Sequence, residues 1–263
     1  MTAAVTSQKQ EIAPKKKSHS SVIAPLVTIL AILLIWQFLV IAFHIPAWKI
    51  PTPGAAIQAM FTNFGELAPY ILSTYLDILA GFLIAVVFGI VLACLISNFN
   101  LLGIALTPYI NLLCTTPLIT LVPLLMLWLG FGNGVKILAV VVQAFPIVNM
   151  NSLTGFNNVE MMKLELMQSL RASRIQTFRY CVLPNALPSV FTGMKLSGIL
   201  ATIACVTTEM SGGNNGLGYE IVQFTQYMKM DEAFACIFYV AVIGILLYSF
   251  SSLLESRVIK WKI

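Results

Sequence analysis

Long apolar stretches alternate with short polar ones along the chain, and the longest apolar stretches carry no charge. No Asp, Glu, Lys or Arg occurs from Ser18 to Trp48, from Ile78 to Val135, from Ile137 to Val159 or from Ala233 to Leu254. A helix that crosses a bilayer needs about 20 residues, and an unpaired charge at its centre costs several kcal/mol. The pattern predicts spans over 22–43, 71–97, 104–129, 135–157, 187–210 and 233–254. The fifth is the weakest, because Lys195 lies within it. Turn residues separate the spans: His44-Ile45-Pro46, Ser97-Asn98-Phe99-Asn100 and Gly130-Phe131-Gly132-Asn133-Gly134. The segment Pro51–Phe64 reads as a turn feeding a short helix on the membrane surface. The third span contains Cys114-Thr115-Thr116-Pro117, Thr120 and Pro123, which predicts a backbone broken in mid-membrane. Such breaks occur where a helix lines a cavity or is kinked by packing inside protein, and the sequence leaves both open.

Composition agrees with the pattern. The chain has 263 residues, 59% hydrophobic and 10% charged, with a mean hydropathy of +0.90. Soluble domains carry about 25% charged residues. An ordinary cytosolic enzyme and a disordered chain are therefore excluded, and the net charge of +5 on so apolar a chain does not describe a nucleic-acid binder. The fold class is an all-α membrane protein with six transmembrane helices. Residues 1–21 form a polar tail and 22–263 the transmembrane domain. The five cysteines are scattered through apolar stretches without a C-x-x-C, and only His19 and His44 exist, so no disulfide framework and no metal site is expected.

The basic residues set the orientation. With the N-terminus inside, Lys9, Lys15, Lys16, Lys17, Lys163, Arg171, Arg174, Arg179, Arg257, Lys260 and Lys262 face the cytoplasm, with Lys195 snorkelling to that side. Only Lys49, Lys136 and Lys229 fall outside, a strong positive-inside bias that puts both termini in the cytoplasm.

One long polar stretch interrupts the second half, the loop 158–185. Leu164, Met167 and Leu170 recur at helical spacing, and Ile175 and Phe178 follow after a break. This predicts two short helices along the membrane surface, ended by Leu183-Pro184. An apolar stripe flanked by Lys163, Arg171, Arg174 and Arg179 suits either a partner protein or lipid headgroups.

The loop resembles the cytoplasmic EAA loop of ABC importer permease subunits, which opens on Glu-Ala-Ala, places a Gly four residues after the second Ala and closes on Leu-Pro. Glu165 matches the opening, Ser169, Leu170, Ala172, Ser173 and Arg174 flank the glycine position, and Leu183-Pro184 matches the close. The similarity is nearest to the nitrate/sulfonate/taurine type. Its further marks here are Leu183 to Pro188, the Glu209 to Gly218 segment, Pro51-Thr52-Pro53 and Trp128-Leu129-Gly130-Phe131-Gly132. Leu166 and Met167 replace the two alanines, and Arg171 stands where the family has glycine. A glycine there permits a tight turn, so the turn is expected to be made differently.

The resemblance implies a bacterial inner-membrane permease whose coupling helix, around Glu165–Ser173, docks on a separate cytoplasmic ATPase. It also implies a second copy of the chain, an extracytoplasmic solute-binding protein, and a small solute such as a sulfonate, a nitrate-like anion or a vitamin precursor. The chain itself has no G-x-x-x-x-G-K-[ST] and no Gly followed by Lys, so ATP is expected to be used by the partner, with no cofactor and no catalytic residue here. Asp77, Thr115, Thr116 and Glu209 are the candidates for the translocation pathway. Asp77 is an acid within a span, and such residues are functional by default unless headgroups and water reach them. The alternative is a secondary transporter driven by an ion gradient. It would have no need of an ATPase dock, and it normally has a doubled repeat with ion-coordinating groups, which this sequence lacks.

Overall fold

A computed structural model describes residues 20–261; the basic cluster at Lys9 and Lys15–Lys17, and Lys262, lie outside the described residues. The described chain forms α1 (Ser20–Ala42), α2 (Pro53–Thr62), α3 (Phe64–Asn98), α4 (Asn100–Thr115), α5 (Leu118–Leu129), α6 (Asn133–Asn157), α7 (Met161–Ser169), α8 (Arg174–Thr177), a π-turn (Phe178–Val182), α9 (Leu183–Gly212), α10 (Leu217–Gln226) and α11 (Met230–Val258). Among them α1, α3, α6, α9 and α11 are long and apolar enough to cross a membrane, and α4 with α5 makes a further pair bent by 100°.

The direction of each helix follows from its close approaches. A Cβ added at Gly81 would lie 2.6 Å from Val140 Cβ, and one at Gly89 would lie 2.9 Å from Val148 Cβ, so α3 and α6 run parallel. Gly155 meets Ser189 and Ala186, whereas Gly193 meets Asn151 and Ile147, so α9 runs against α6. Gly198 faces Leu247 and Gly244 faces Thr202, which reverses the direction again for α11. Two parallel spans require the chain between them to return across the membrane. The bent α4–α5 pair is therefore one broken crossing, and with α1 the protein is a multi-pass membrane protein of six crossings.

The break has a local cause. Pro117 has no N–H to continue the α4 ladder and holds Thr116 extended, at ψ 121°. Threonine hydroxyls add second donors at the break: Thr116 Oγ1 donates to Leu112 C=O at 2.8 Å, which also accepts the Thr116 N–H, and Thr120 Oγ1 donates to Pro117 C=O at 2.7 Å. At the start of α2, Thr52 caps the helix by accepting from the Ala55 N–H at 3.2 Å, with Pro53 at the first helical position.

Phe82, Ile78, Val140, Val148, Val122 and Leu217 fill the core between α3, α5, α6, α9 and α10. The outward faces are apolar as well: Phe38, Val87, Ile104, Leu127 and Ile245 are all exposed, as a lipid-facing surface requires. Because α3 and α6 touch backbone to side chain, Gly81→Ala must push them apart; the new methyl would also meet Ile137 C=O at 2.9 Å. A loss of about 1–3 kcal/mol is expected for such overpacking, read as a lower melting temperature in detergent. Gly65→Ala, with nothing within 4 Å, is the control and should not shift it.

The topology separates two faces. One carries α7, α8 and the end of α11; the other carries α2, the turn at Gly130–Gly134 and α10. Lys195 reaches from α9 to pair with Glu255 near the end of α11.

Candidate functional sites: the α7–α8 loop and a buried ion cluster

α7 is a nine-residue helix with its outer side open. Met162, Leu166 and Leu170 are exposed at four-residue spacing, with Ile175 beyond them at 80% exposure. The expected stripe of Leu164 and Met167 is half-buried and turns toward the body of the protein. The periodicity is thus real but belongs to two faces, one packed and one free. Glu165 is exposed, and Ser169 Oγ donates to its carbonyl at 3.0 Å.

The turn after α7 corrects the expectation about Arg171. Its φ is +53°, the left-handed region, so Arg171 adopts the conformation for which glycine is suited. The Arg171 N–H donates to Gln168 C=O at 2.9 Å and the Ala172 N–H to Met167 C=O at 3.0 Å, the paired bonds of a Schellman motif. The turn is made in the glycine manner by a residue that bears a Cβ cost. Arg171→Gly should relieve about 1 kcal/mol locally, seen as slower hydrogen exchange at the Arg171 and Ala172 amides, and Arg171→Val should do the reverse.

Ser173 then starts α8 with a capping box: its hydroxyl accepts from the Gln176 N–H at 3.3 Å, and the Gln176 side chain accepts from the Ser173 N–H at 2.8 Å. Leu183-Pro184 does not end a helix, contrary to the sequence expectation. Arg174–Gly212 is one helical run, in which the π-turn Phe178–Val182 immediately precedes Leu183-Pro184 and relaxes the ladder where the proline N–H is missing. Pro184 lines a cleft with Leu166 and Met167, so the Leu-Pro end lies beside α7. A second cleft, of about 330 Å³, separates the loop from the ends of α3 and α6 and is lined in part by Asn98, Asn157, Gln168 and Arg174. Lys163 Nζ to Asn185 Oδ1 at 3.5 Å and Asn185 Nδ2 to Asn158 C=O at 3.1 Å fasten the loop at its root.

On the opposite face three charges meet inside the protein. Lys136 Nζ lies 2.8 Å from Asp77 Oδ2 and 3.4 Å from Glu209 Oε1, and donates to Asn215 C=O at 3.0 Å. All three side chains are almost wholly buried. Glu209 also accepts from Thr74 Oγ1 at 2.9 Å and from the Gly218 N–H at 2.9 Å, and Thr74 in turn accepts from the Leu217 N–H at 2.8 Å. The ammonium thus donates to Glu209 and to the Asn215 carbonyl and is paired in charge with Asp77, and α3, α6, α9 and the start of α10 are joined at one point.

Of the pathway candidates, Asp77 and Glu209 come together here, packed among helices. Asp77 is not bathed by headgroups. Thr115 and Thr116 lie elsewhere, at the α4–α5 break, with their hydroxyls donating to carbonyls of their own helix. Sequence reading missed the role of Lys136, which it counted only among the charges on the outer side of the membrane. The signal was present: Lys136 alone separates two charge-free runs, and a lone lysine at that depth requires an acid in reach.

Comparison with known proteins places the chain. The model of the binding-protein-dependent transport system inner membrane component matches residues 85–260. A protein of Bacillus subtilis described as a putative aliphatic sulfonates transport permease is 31% identical over 88% of this chain and 84% of its own. The taurine transport system permease of Escherichia coli is 26% identical over 89% and 88%. Among solved structures, an amino acid ABC transporter chain superposes with a TM-score of 0.60 at 17% identity, covering 75% of this chain and 98% of that one. With the match spanning the third crossing, the α7–α8 loop and the ion cluster's α6 and α9, the chain belongs to the inner-membrane permease components of binding-protein-dependent ABC importers.

Proposed function

We propose that this permease works as a homodimer whose α7–α8 loops dock on two cytoplasmic ATPase subunits, while a solute-binding protein delivers substrate to the α10 face. The observation that carries this reading is the outer side of the α7–α8 loop, where Met162, Leu166, Leu170 and Ile175 are exposed beside basic side chains. Exposed apolar side chains at helical spacing fit a groove on a partner. The charge distribution supports an orientation with that face, and both termini, in the cytoplasm: Lys163, Arg171, Arg174, Arg179, Arg257 and Lys260 gather on the α7–α8 face. ATP is consumed by the partner.

For the solute we propose a small sulfonate. The support is that the Bacillus and Escherichia relatives named above carry aliphatic sulfonate and taurine designations. Nitrate-like anions and vitamin precursors are the other members of the expected set.

Solubilising the protein from its native membrane and identifying what co-purifies tests the reading. An ATPase should be recovered near one-to-one and be lost on deleting Glu165–Arg174. A co-captured binding protein, titrated with taurine and methanesulfonate, should take up one of them. A chain that comes down alone contradicts the docking assignment.

A further inference from the structure

The segment Gly212–Gly216, between α9 and α10, is held from beneath by the ion cluster. Lys136 Nζ holds the Asn215 carbonyl at 3.0 Å, and Asn215 Nδ2 donates to Ser73 Oγ on α3 at 3.1 Å. The strap has a glycine of positive φ at each end, Gly212 at +154° and Gly216 at +114°. At Gly216 a Cβ would lie 1.9 Å from Glu209 Oε1, so the strap backbone rests directly on the buried carboxylate. The outer side of Asn214 is exposed.

The anchors differ in how easily they let go. If the strap lifts, Lys136 loses only a neutral carbonyl and keeps Asp77 and Glu209, so no buried charge is stranded. Asn215 and Ser73 are half-buried and can exchange their mutual bond for bonds to water. The α3–α6 contact below the cluster, by contrast, is backbone-close, with Gly81 against Val140, and cannot open at so small a cost. Hinge-permissive backbone at both ends, replaceable polar anchors and a charge-compensated seat together describe an element with two positions.

We propose that Gly212–Gly216 is a latched strap over the α10 face of the permease, with Lys136 as the positioning residue that seats it, and that its release is a required step of the transport cycle. This rests on the importer reading given above. The chemistry is an exchange of hydrogen bonds alone.

The test uses the assembled importer, with its ATPase and the binding protein as isolated, in liposomes. In a background with the five native cysteines replaced by alanine, Ser73→Cys and Asn215→Cys are introduced and bridged with a short bis-methanethiosulfonate. The expected result is that bridging abolishes the stimulation of ATP hydrolysis by binding protein, and that reductant restores it. A bridged complex stimulated as strongly as the reduced one would overturn the proposal. Ser73→Ala in the otherwise native chain is the second arm, since it removes one anchor and leaves all three charges in place. Hydrolysis without binding protein should rise about two- to twelvefold, because one hydrogen bond of about 0.5–1.5 kcal/mol is withdrawn from the latched state, at a factor of ten per 1.4 kcal/mol. An unchanged rate with Ser73→Ala also counts against the latch. If the native complex shows no ATPase stimulated by a binding protein, the importer reading fails instead.

Discussion

Lys136→Met is expected to be the most damaging single substitution in this protein. It removes the only cation among two buried carboxylates, Asp77 and Glu209, and leaves both without a counter-charge inside the helix bundle. Breaking a buried ion pair by removing one partner costs about 3–5 kcal/mol, comparable with the whole stability of many domains. The variant should yield little folded protein, or melt far below the native chain in detergent. The test of cause is compensation. Asp77→Asn combined with Lys136→Met removes one charge of each sign, leaves Glu209 its bonds to Thr74 and Gly218, and should recover most of the loss. If the double variant is as unstable as the single one, packing around the lysine stem and not charge balance is the reason. Lys136→Arg should fall between, because the guanidinium keeps the charge but does not reproduce the compact ammonium at 2.8 to 3.4 Å from its acceptors.

The second large effect is expected at the α7–α8 loop and should leave the membrane domain intact. Leu166→Asp with Leu170→Asp changes side chains that are 59% and 68% exposed, so the fold should melt as before. If these residues fill a groove on the ATPase, two carboxylates there must be desolvated on docking. Complex formation should weaken by at least tenfold, since a factor of ten corresponds to about 1.4 kcal/mol. Glu165→Arg, one position away on the same short helix, should weaken docking as well. Recovery of the ATPase in native proportion by the double variant would mean that α7 is not the docking element. The same substitution at Leu164, which is half-buried against the body, should instead destabilise the loop itself, and the contrast separates contact from fold.

Much of the architecture was legible before the structure because lipid imposes one rule on every span. The six crossings sit where the apolar pattern predicted them, and the broken third crossing follows from Thr116-Pro117 as expected. The ends were less legible. The second crossing was read from residue 71, but α3 begins at Phe64, because a helix continues into headgroups and water after hydropathy has stopped reporting on it. Leu183-Pro184 looked like a terminus since proline usually breaks a helix, and a π-turn just before it allows the helix to continue.

The two sites were legible to different degrees, for physical reasons. The loop residues Glu165 to Ser173 are consecutive, so a linear pattern can display them. What the pattern missed was the backbone at Arg171. Two Schellman hydrogen bonds hold the turn whichever residue occupies it, and together they outweigh a left-handed penalty of about 1–2 kcal/mol. The ion cluster joins residues 77, 136 and 209, which lie on three helices, and only the parallel packing of α3 on α6 brings the first two within 2.8 Å. Each charge was visible alone; their meeting is a property of topology.

The central claim is that ATP hydrolysed on the α7–α8 face drives solute inward across this chain. It is tested most directly by reconstituting the permease with its ATPase in sealed liposomes and offering ligand-loaded binding protein on the opposite side. Uptake that requires ATP on the side of the α7–α8 loop, requires binding protein on the other, and persists after ion gradients are collapsed is the result this account predicts. Uptake by the chain alone, driven by an ion gradient and indifferent to ATP, would contradict it.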